Sequence, residues 1–232
     1  METGKKQWYS QWWGIILILF LTLAAIVFVA LGFYIADLTG RIKSGEIVDE
    51  QVLAEINKYK TAKENPTILG VNNYWLGSAK PKITIVEFAD FNCPNCKNSF
   101  PNIREISLKY KNDVKIIFRD FPIYENSINL ALAGRCAGEQ GLFWLMHDKL
   151  FAKQGNFSLE ELPSFANQIG ADINRFNSCL KNEKYLNDIK KDYADGQSLG
   201  ITGTPTWFIN GYKIEGDIPR DLFIQIVEEL IR

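Results

Sequence analysis

Cys93-Pro94-Asn95-Cys96 sets two thiols one helical turn apart. If this Cys-x-x-Cys opens a helix, the first thiol meets free N–H groups and the positive end of the helix dipole, which favour a thiolate. Such a thiolate attacks disulfides, and the second thiol is near enough to form or break a disulfide with it. The spacing alone also suits half a zinc site or two small buried hydrophobes. Zinc would need Cys136 and Cys179 to converge on the pair, but both fall in a helical stretch far downstream. Structural zinc sites usually show two closely spaced ligand pairs, so no metal is expected. His147 is the only histidine, which excludes any His-rich metal site. It sits in Phe143-Trp144-Leu145-Met146-His147, a run that reads as helix packing and implies no cofactor.

The thiol pair needs a strand before it and a helix after it. In Ile83–Phe88, Val86 and Phe88 face one side and Ile83, Ile85 and Glu87 the other, so the run is apolar except for one acid. After Cys96, Phe100, Ile103, Ile106 and Tyr110 recur at helical spacing, and Pro101 marks a place for a kink. Residues 114–121 read as the next strand, closed by Pro122, and Tyr74-Trp75-Leu76 as a short edge strand. Residues 126–198 hold only helical patterns, at 127–140, 142–152, 159–169, 173–181 and 185–199. A helical block between strands of one sheet is an insertion. Ile201 to Ile214 returns to strand, with Asn210-Gly211 as a hairpin signal. Asp217 is placed to cap a final helix whose apolar stripe is Leu222, Phe223, Ile226, Val227 and Leu230.

Three separated motifs occur in a fixed order. They are Ile-Thr-Ile-Val-Glu-Phe-Ala-Asp-Phe-x-Cys-Pro-x-Cys at 83–96, Cys-Ala-Gly-Glu-Gln-Gly-x-Phe-Trp at 136–144, and Gly-Thr-Pro-Thr-x-Phe-Ile-Asn-Gly at 203–211. Together they resemble the DsbA-like thiol:disulfide oxidoreductase family of the thioredoxin superfamily, over residues 70–232. The resemblance implies an α/β, thioredoxin-like fold with an α-helical insertion, which this family carries at the place of residues 126–198. It implies that Glu87 occupies the position of a buried acid that passes a proton to and from Cys96. An exposed strand acid is the alternative, and Arg119 on the neighbouring strand is expected in a surface ion pair. It also implies a cis Thr204-Pro205 bond, although X-Pro bonds are mostly trans. That loop would leave Thr204 backbone groups to pair with an extended substrate chain. Enzymes of this kind often carry Pro-His between the cysteines, where Pro94-Asn95 stands here. Asn95 hydrogen-bonds but carries no positive charge. Cys93 is therefore expected to be less acidic, and its disulfide less oxidising, than in the strongest oxidases of the family.

The 232 residues suffice for one domain and an anchor. A net charge of −1 gives no basis for nucleic-acid binding. Residues 14–35 form an uncharged apolar run of 22 residues, about 33 Å long as a helix, enough to cross a bilayer core. Trp8, Tyr9, Trp12 and Trp13 precede the run, and Phe33 and Tyr34 close it, as interfacial aromatics do. A signal peptide has a shorter apolar region and a small-residue cleavage site, so an uncleaved transmembrane anchor is expected. The organisation read from the chain is a tail at 1–13, an anchor at 14–36, a polar spacer with a short amphipathic helix at 37–66, and the domain at 67–232. Lys5 and Lys6 before the span balance Arg41 and Lys43 after it, so flanking charge sets no orientation. Four cysteines suit an oxidising compartment. Cys136 and Cys179 are expected to form a structural disulfide, with two free buried thiols as the alternative.

The expected function is thus a single-pass membrane enzyme with an extracytoplasmic domain. It introduces disulfides into reduced, unfolded polypeptides through Cys93 and Cys96. The resemblance implies reoxidation by a membrane partner of the DsbB or VKOR type. A reductase or isomerase on the same scaffold is the alternative, and a tethered peptide-binding chaperone is the alternative from another class.

Overall fold

The computed structural model describes residues 12–43, 58–59, 65–71 and 74–232. Helix α1, Trp12–Lys43, contains the stretch Gly14–Asp37, whose mean hydropathy of 3.1 and length of 24 residues are enough to cross a membrane. It belongs to a unit separate from the one formed by residues 55–232. The helix runs on into the expected spacer. The short amphipathic helix expected within that spacer falls largely on residues 44–57 and 60–64, outside the described residues; Lys58 and Tyr59 are helical.

The second unit is built on a five-stranded sheet with strands β1 (Tyr74–Gly77), β2 (Ile83–Ala89), β3 (Val114–Asp120), β4 (Thr206–Ile209) and β5 (Tyr212–Glu215). Their order is β1-β3-β2-β4-β5. Only β2 and β3 pair in parallel, because helix α3 (Pro94–Lys109) carries the chain back between them; the other pairs are antiparallel. All seven residues of β2 are buried, as a central strand covered on both faces requires. One face packs Val86 and Phe88 with Ile117, Phe121, Ile201 and Phe208.

A short helix α2 (Pro66–Leu69) precedes the sheet, and its N-cap Asn65 accepts the Thr67 amide at 2.9 Å. Between β3 and β4 the chain is helical: α4 (Ser127–Gly138), α5 (Phe143–Lys153), a 3₁₀ turn (Leu159–Glu161), α6 (Leu162–Gln168), α7 (Ile173–Lys181) and α8 (Leu186–Ser198). Asp172 caps α7 by accepting the Arg175 amide at 3.0 Å. This insertion shares an apolar core with the sheet, in which Phe118 and Phe91 meet Phe143, Met146, Leu150 and Phe151. Helix α9 (Arg220–Ile231) closes the domain, burying Phe223, Ile226 and Val227.

Two expectations are corrected. Arg119 makes no surface ion pair: it is fully buried, bonded to Asp192 and Asp195 at 2.7 Å each and to the Thr67 and Ile68 carbonyls. Arg135, Asp120 and Asp192 complete the buried cluster. A charge can be buried here because α8 lays its carboxylates over β3 and satisfies the guanidinium. Asp217 does not cap the last helix, whose N-cap is Pro219; its carboxylate instead accepts the Ser99 hydroxyl.

Candidate active site

Strand β2 ends at Ala89, and a three-residue turn brings Cys93 to the N-cap of α3 with extended backbone (φ −75°, ψ 122°). Pro94 takes the first helical position, where its missing N–H costs nothing. Cys93 and Cys96 are both free thiols, 1% and 0% exposed. Pro101 lies inside α3. Across from the pair, the Thr204–Pro205 peptide is cis, and the Cys93 thiol donates to the Thr204 carbonyl at 3.1 Å.

The acidities of the two thiols are moved in opposite directions. Cys93 is pulled down to about 6, first by a hydrogen bond from the Cys96 thiol. Burial opposes this, while Thr204 and the backbone amides of Cys96 and Asn95 assist it. Those amides are the unpaired donors of a helix start. The Thr204 hydroxyl is buried with no hydrogen-bond partner among the described residues. Cys96 moves strongly the other way, chiefly by burial, then by the Cys93 hydrogen bond and the charge of Glu87. Glu87 is 1% exposed, and neither carboxyl oxygen has a hydrogen-bond partner among the described residues. Burial, with the Cys93 charge added, pushes its pKa up to about 8. The arrangement holds one thiolate, one thiol and one neutral carboxylic acid at neutral pH.

Two residues to which the sequence assigns no role, Asp90 within the 83–96 motif and Gln154 outside every motif, fix the turn that carries Cys93. Asp90, 2% exposed, accepts the Asn92 amide (2.7 Å) and the Ser127 hydroxyl (2.5 Å) on one oxygen. Its other oxygen accepts the amides of Ile123 (2.7 Å) and Tyr124 (3.0 Å). From the opposite side, the Gln154 side-chain amide donates to the carbonyls of Phe91 (2.8 Å) and Cys93 (2.9 Å). A polar Asp90 inside the run Phe88-Ala89-Asp90-Phe91 was the available signal; Gln154 left none.

Asn95 is exposed at the surface of α3's first turn. Cys136 and Cys179 form a disulfide that ties α4 to α7, with 5.7 Å between their Cα atoms. His147 is fully buried among Phe91, Phe118, Phe143 and Phe151, with Nδ1 2.9 Å from Asp148. Burial lowers its pKa and keeps it neutral. Among the described residues, no group of three or more His, Cys, Asp or Glu side chains is arranged to hold a metal.

A sheet of this order, with a Cys-x-x-Cys at the N-terminus of the helix after its central strand and a cis-proline loop opposite, defines the thioredoxin-fold class of dithiol proteins. A thioredoxin family profile matches residues 70–229. The chain belongs to that family and to its DsbA-like branch. Among solved structures it is similar to the thiol-disulfide exchange protein alpha-DsbA2 from Wolbachia pipientis (24% identity, TM-score 0.65, covering 78% of this chain and 96% of that one). BdbD from Bacillus subtilis is comparable (25% identity, TM-score 0.63, 73% and 96%), as is Pseudomonas aeruginosa DsbA2 (31% identity, TM-score 0.57, 68% and 94%). A Na(+)/H(+) antiporter NhaA 1 from Salinispora arenicola is 32% identical over 143 residues, covering 60% of this chain and 22% of the antiporter. The chain spans about a fifth of the length of the curated relatives it matches.

Proposed function

We propose that this protein is a membrane-anchored, extracytoplasmic thiol-disulfide oxidoreductase that introduces disulfides into reduced, unfolded polypeptides. The observation that carries the reading is the pair of buried free thiols at the start of α3, facing the cis Thr204–Pro205 peptide. Cys93 is held near a pKa of about 6 while Cys96 and Glu87 are pushed up.

In the oxidised resting state Cys93 and Cys96 share a disulfide. A substrate thiolate attacks the Cys93 sulfur; the Cys93–Cys96 bond breaks and its electron pair leaves on Cys96. Cys96 is a poor thiolate and takes the proton of the neutral Glu87 carboxyl. The second substrate thiolate then attacks the substrate sulfur of the mixed disulfide, forming the substrate disulfide and expelling Cys93 as a thiolate. A low leaving-group pKa speeds that expulsion and favours the dithiol form of the enzyme. Substrate is oxidised by two electrons and the enzyme is reduced by two. A membrane oxidase of the DsbB or VKOR type removes those electrons and restores the disulfide. The cis-proline loop beside Cys93 supports Thr204 and Pro205 as the substrate-facing wall, and α1 supports the anchor.

The test is acid quench and alkylation of thiols in intact cells with a mass-adding reagent, with the Cys136→Ala/Cys179→Ala variant run beside the wild type. A Cys93–Cys96 pair mostly oxidised at steady state is the expected result. A mostly reduced pair overturns the oxidase reading and favours a reductase or isomerase. A Cys93→Ser variant with full biological activity overturns thiol chemistry altogether and favours a chaperone.

A further inference from the structure

A cavity of about 380 Å³ opens beside the turn that carries Cys93. Three segments wall it: Asn92 of the turn itself, Asn126 and Leu130 at the start of α4, and the stretch 155–160 after α5, with Phe157, Leu159 and Glu160. Each segment is tied to the turn. One Asp90 oxygen accepts both the Asn92 amide and the hydroxyl of Ser127, the first residue of α4. The Asn92 side-chain amide donates to the Glu125 carbonyl at 2.6 Å, on the approach to α4. Gln154, immediately before the 155–160 stretch, donates to the Phe91 and Cys93 carbonyls, and its own carbonyl accepts the Lys97 ammonium at 3.2 Å. The walls cannot part without breaking bonds that also set the Cys93 backbone. The cavity is therefore formed in advance, on the support of the nucleophile.

Its lining has one apolar side and one charge. Leu130 is buried and Phe157 and Leu159 are half-buried, all three packed with the apolar core of the insertion. Asn92 and Asn126 give polar walls, and Asn126, at φ 63°, spends no side-chain bond on capping α4. Among the lining residues only Glu160 is charged, and it is exposed. An apolar floor with one carboxylate at its mouth suits a long aliphatic stem that ends in a cation. The stem of a lysine or arginine covers the floor while its head stays in water beside the carboxylate. An acidic side chain meets a like charge there, and a short one leaves the floor uncovered.

In the mixed disulfide the substrate cysteine is bonded to Cys93, and neighbouring Cα atoms of any chain lie about 3.8 Å apart. The cavity begins at Asn92, the residue that adjoins Cys93. We propose that it receives the side chain of a substrate residue one or two places from the reactive cysteine, and that Glu160 favours lysine or arginine there. This rests on the reading of Cys93 as the sulfur that exchanges with reduced polypeptides, and it names which of them react fastest. An exposed ion pair is worth little, so the preference due to Glu160 is set at about 1.5- to fivefold.

The experiment uses the full-length protein in detergent micelles with its Cys93–Cys96 pair oxidised. Reduced dithiol peptides that differ only in the residues flanking one cysteine, arginine or glutamate, are mixed with it, and the rate of enzyme reduction is read by acid quench and mass spectrometry. Flanking charge alters the peptide thiol itself, so the quantity compared is the arginine-to-glutamate rate ratio in each variant. Glu160→Gln should lower the ratio about 1.5- to fivefold, and Glu160→Lys should lower it further. Glu161 does not line the cavity, and its carboxylate accepts the Ser158 amide at 2.9 Å, a bond that glutamine also makes. Glu161→Gln should therefore keep the wild-type ratio. Arginine moved six places from either cysteine should show none of the dependence on Glu160. A ratio that Glu160→Gln leaves unmoved overturns the proposal alone. An equal fall with Glu161→Gln, or with the distant arginine, overturns it in favour of a general attraction of charge. The pH midpoint of Cys93 alkylation by iodoacetamide, measured on the reduced proteins, reports the sulfur itself, and a shift that accounts for the fall in the ratio also overturns the role of the cavity. If no peptide reduces the wild-type disulfide, the reading of Cys93 falls and this proposal with it.

Discussion

Glu87 gives the protein a pH dependence that a single substitution should erase. Its carboxyl lies in β2 opposite Phe118 and Trp207 on the two neighbouring strands, with its pKa pushed from 4.5 to about 8. A raised carboxyl is neutral in the fold and ionised in the unfolded chain throughout that interval. The folded state therefore binds the extra proton, and stability falls as pH rises. The loss starts near 4.5 and levels off near 8, at about 1.4 kcal/mol per pH unit between. From 4.5 to 7 the accumulated loss is about 3 kcal/mol. Glu87→Gln keeps the size and cannot ionise. The absolute stability of the variant depends on its own unpaired amide, but that term does not change with pH. The stability of Glu87→Gln minus that of wild type should grow by about 3 kcal/mol from pH 4.5 to pH 7. Denaturant unfolding followed by tryptophan fluorescence, at several pH values and in both redox forms, measures it. In the disulfide form the Cys93 charge is gone while burial remains, so the growth should be smaller and still present. Parallel profiles for the two proteins would show that Glu87 is ionised in the fold, and would remove it as the proton donor to Cys96.

Two further predictions concern the scaffold. Arg119→Met should destabilise the domain by about 3–5 kcal/mol in thermal or denaturant unfolding, because Asp192 and Asp195 lose a guanidinium that bonds both and Asp192 stays buried. A change below about 1 kcal/mol would mean that the carboxylates take up protons or water at no cost. The Cys136→Ala/Cys179→Ala variant opens a loop of 43 residues and should lose about 2–4 kcal/mol, while the Cys93 alkylation midpoint stays where it is. A shift of that midpoint would mean that the bond between α4 and α7 acts on the redox site and not only on the stability of the insertion.

The architecture is legible in the chain because its signals are local. The apolar run before the cysteines has to be a buried central strand, and the helical spacings from Ser127 onward recur where α4 to α8 stand. The pattern at 173–181 coincides with α7, since Asp172 supplies a cap at the level of the sequence itself. Arg119 misleads because a charge in a strand looks like an exposed edge until the partner is known. Its carboxylates come from α8, more than seventy residues on. Asp217 misleads for a related reason: it sits just before a helix, as a cap would, yet Ser99 of α3 takes its carboxylate. Long-range polar pairing carries no periodicity.

The two thiols stand out in the sequence for the same reason that the apparatus around them does not. A Cys-x-x-Cys at a helix start announces its own chemistry, because the amides that favour the thiolate belong to the same turn. What holds that turn comes from elsewhere. Gln154 reaches the Phe91 and Cys93 carbonyls from the end of α5, and Asp90 reaches Ile123, Tyr124 and Ser127 from the end of β2. The insertion thereby enters the site physically: it contributes Gln154 on one side and the start of α4 on the other, with the Cys93 turn between them. A movement of the insertion against the sheet would stretch the bonds that set the Cys93 backbone before it reached either sulfur. The helical block is in this sense part of the redox centre, and substitutions at Gln154 should register in Cys93 reactivity even though its recorded bonds go to backbone carbonyls and not to a thiol.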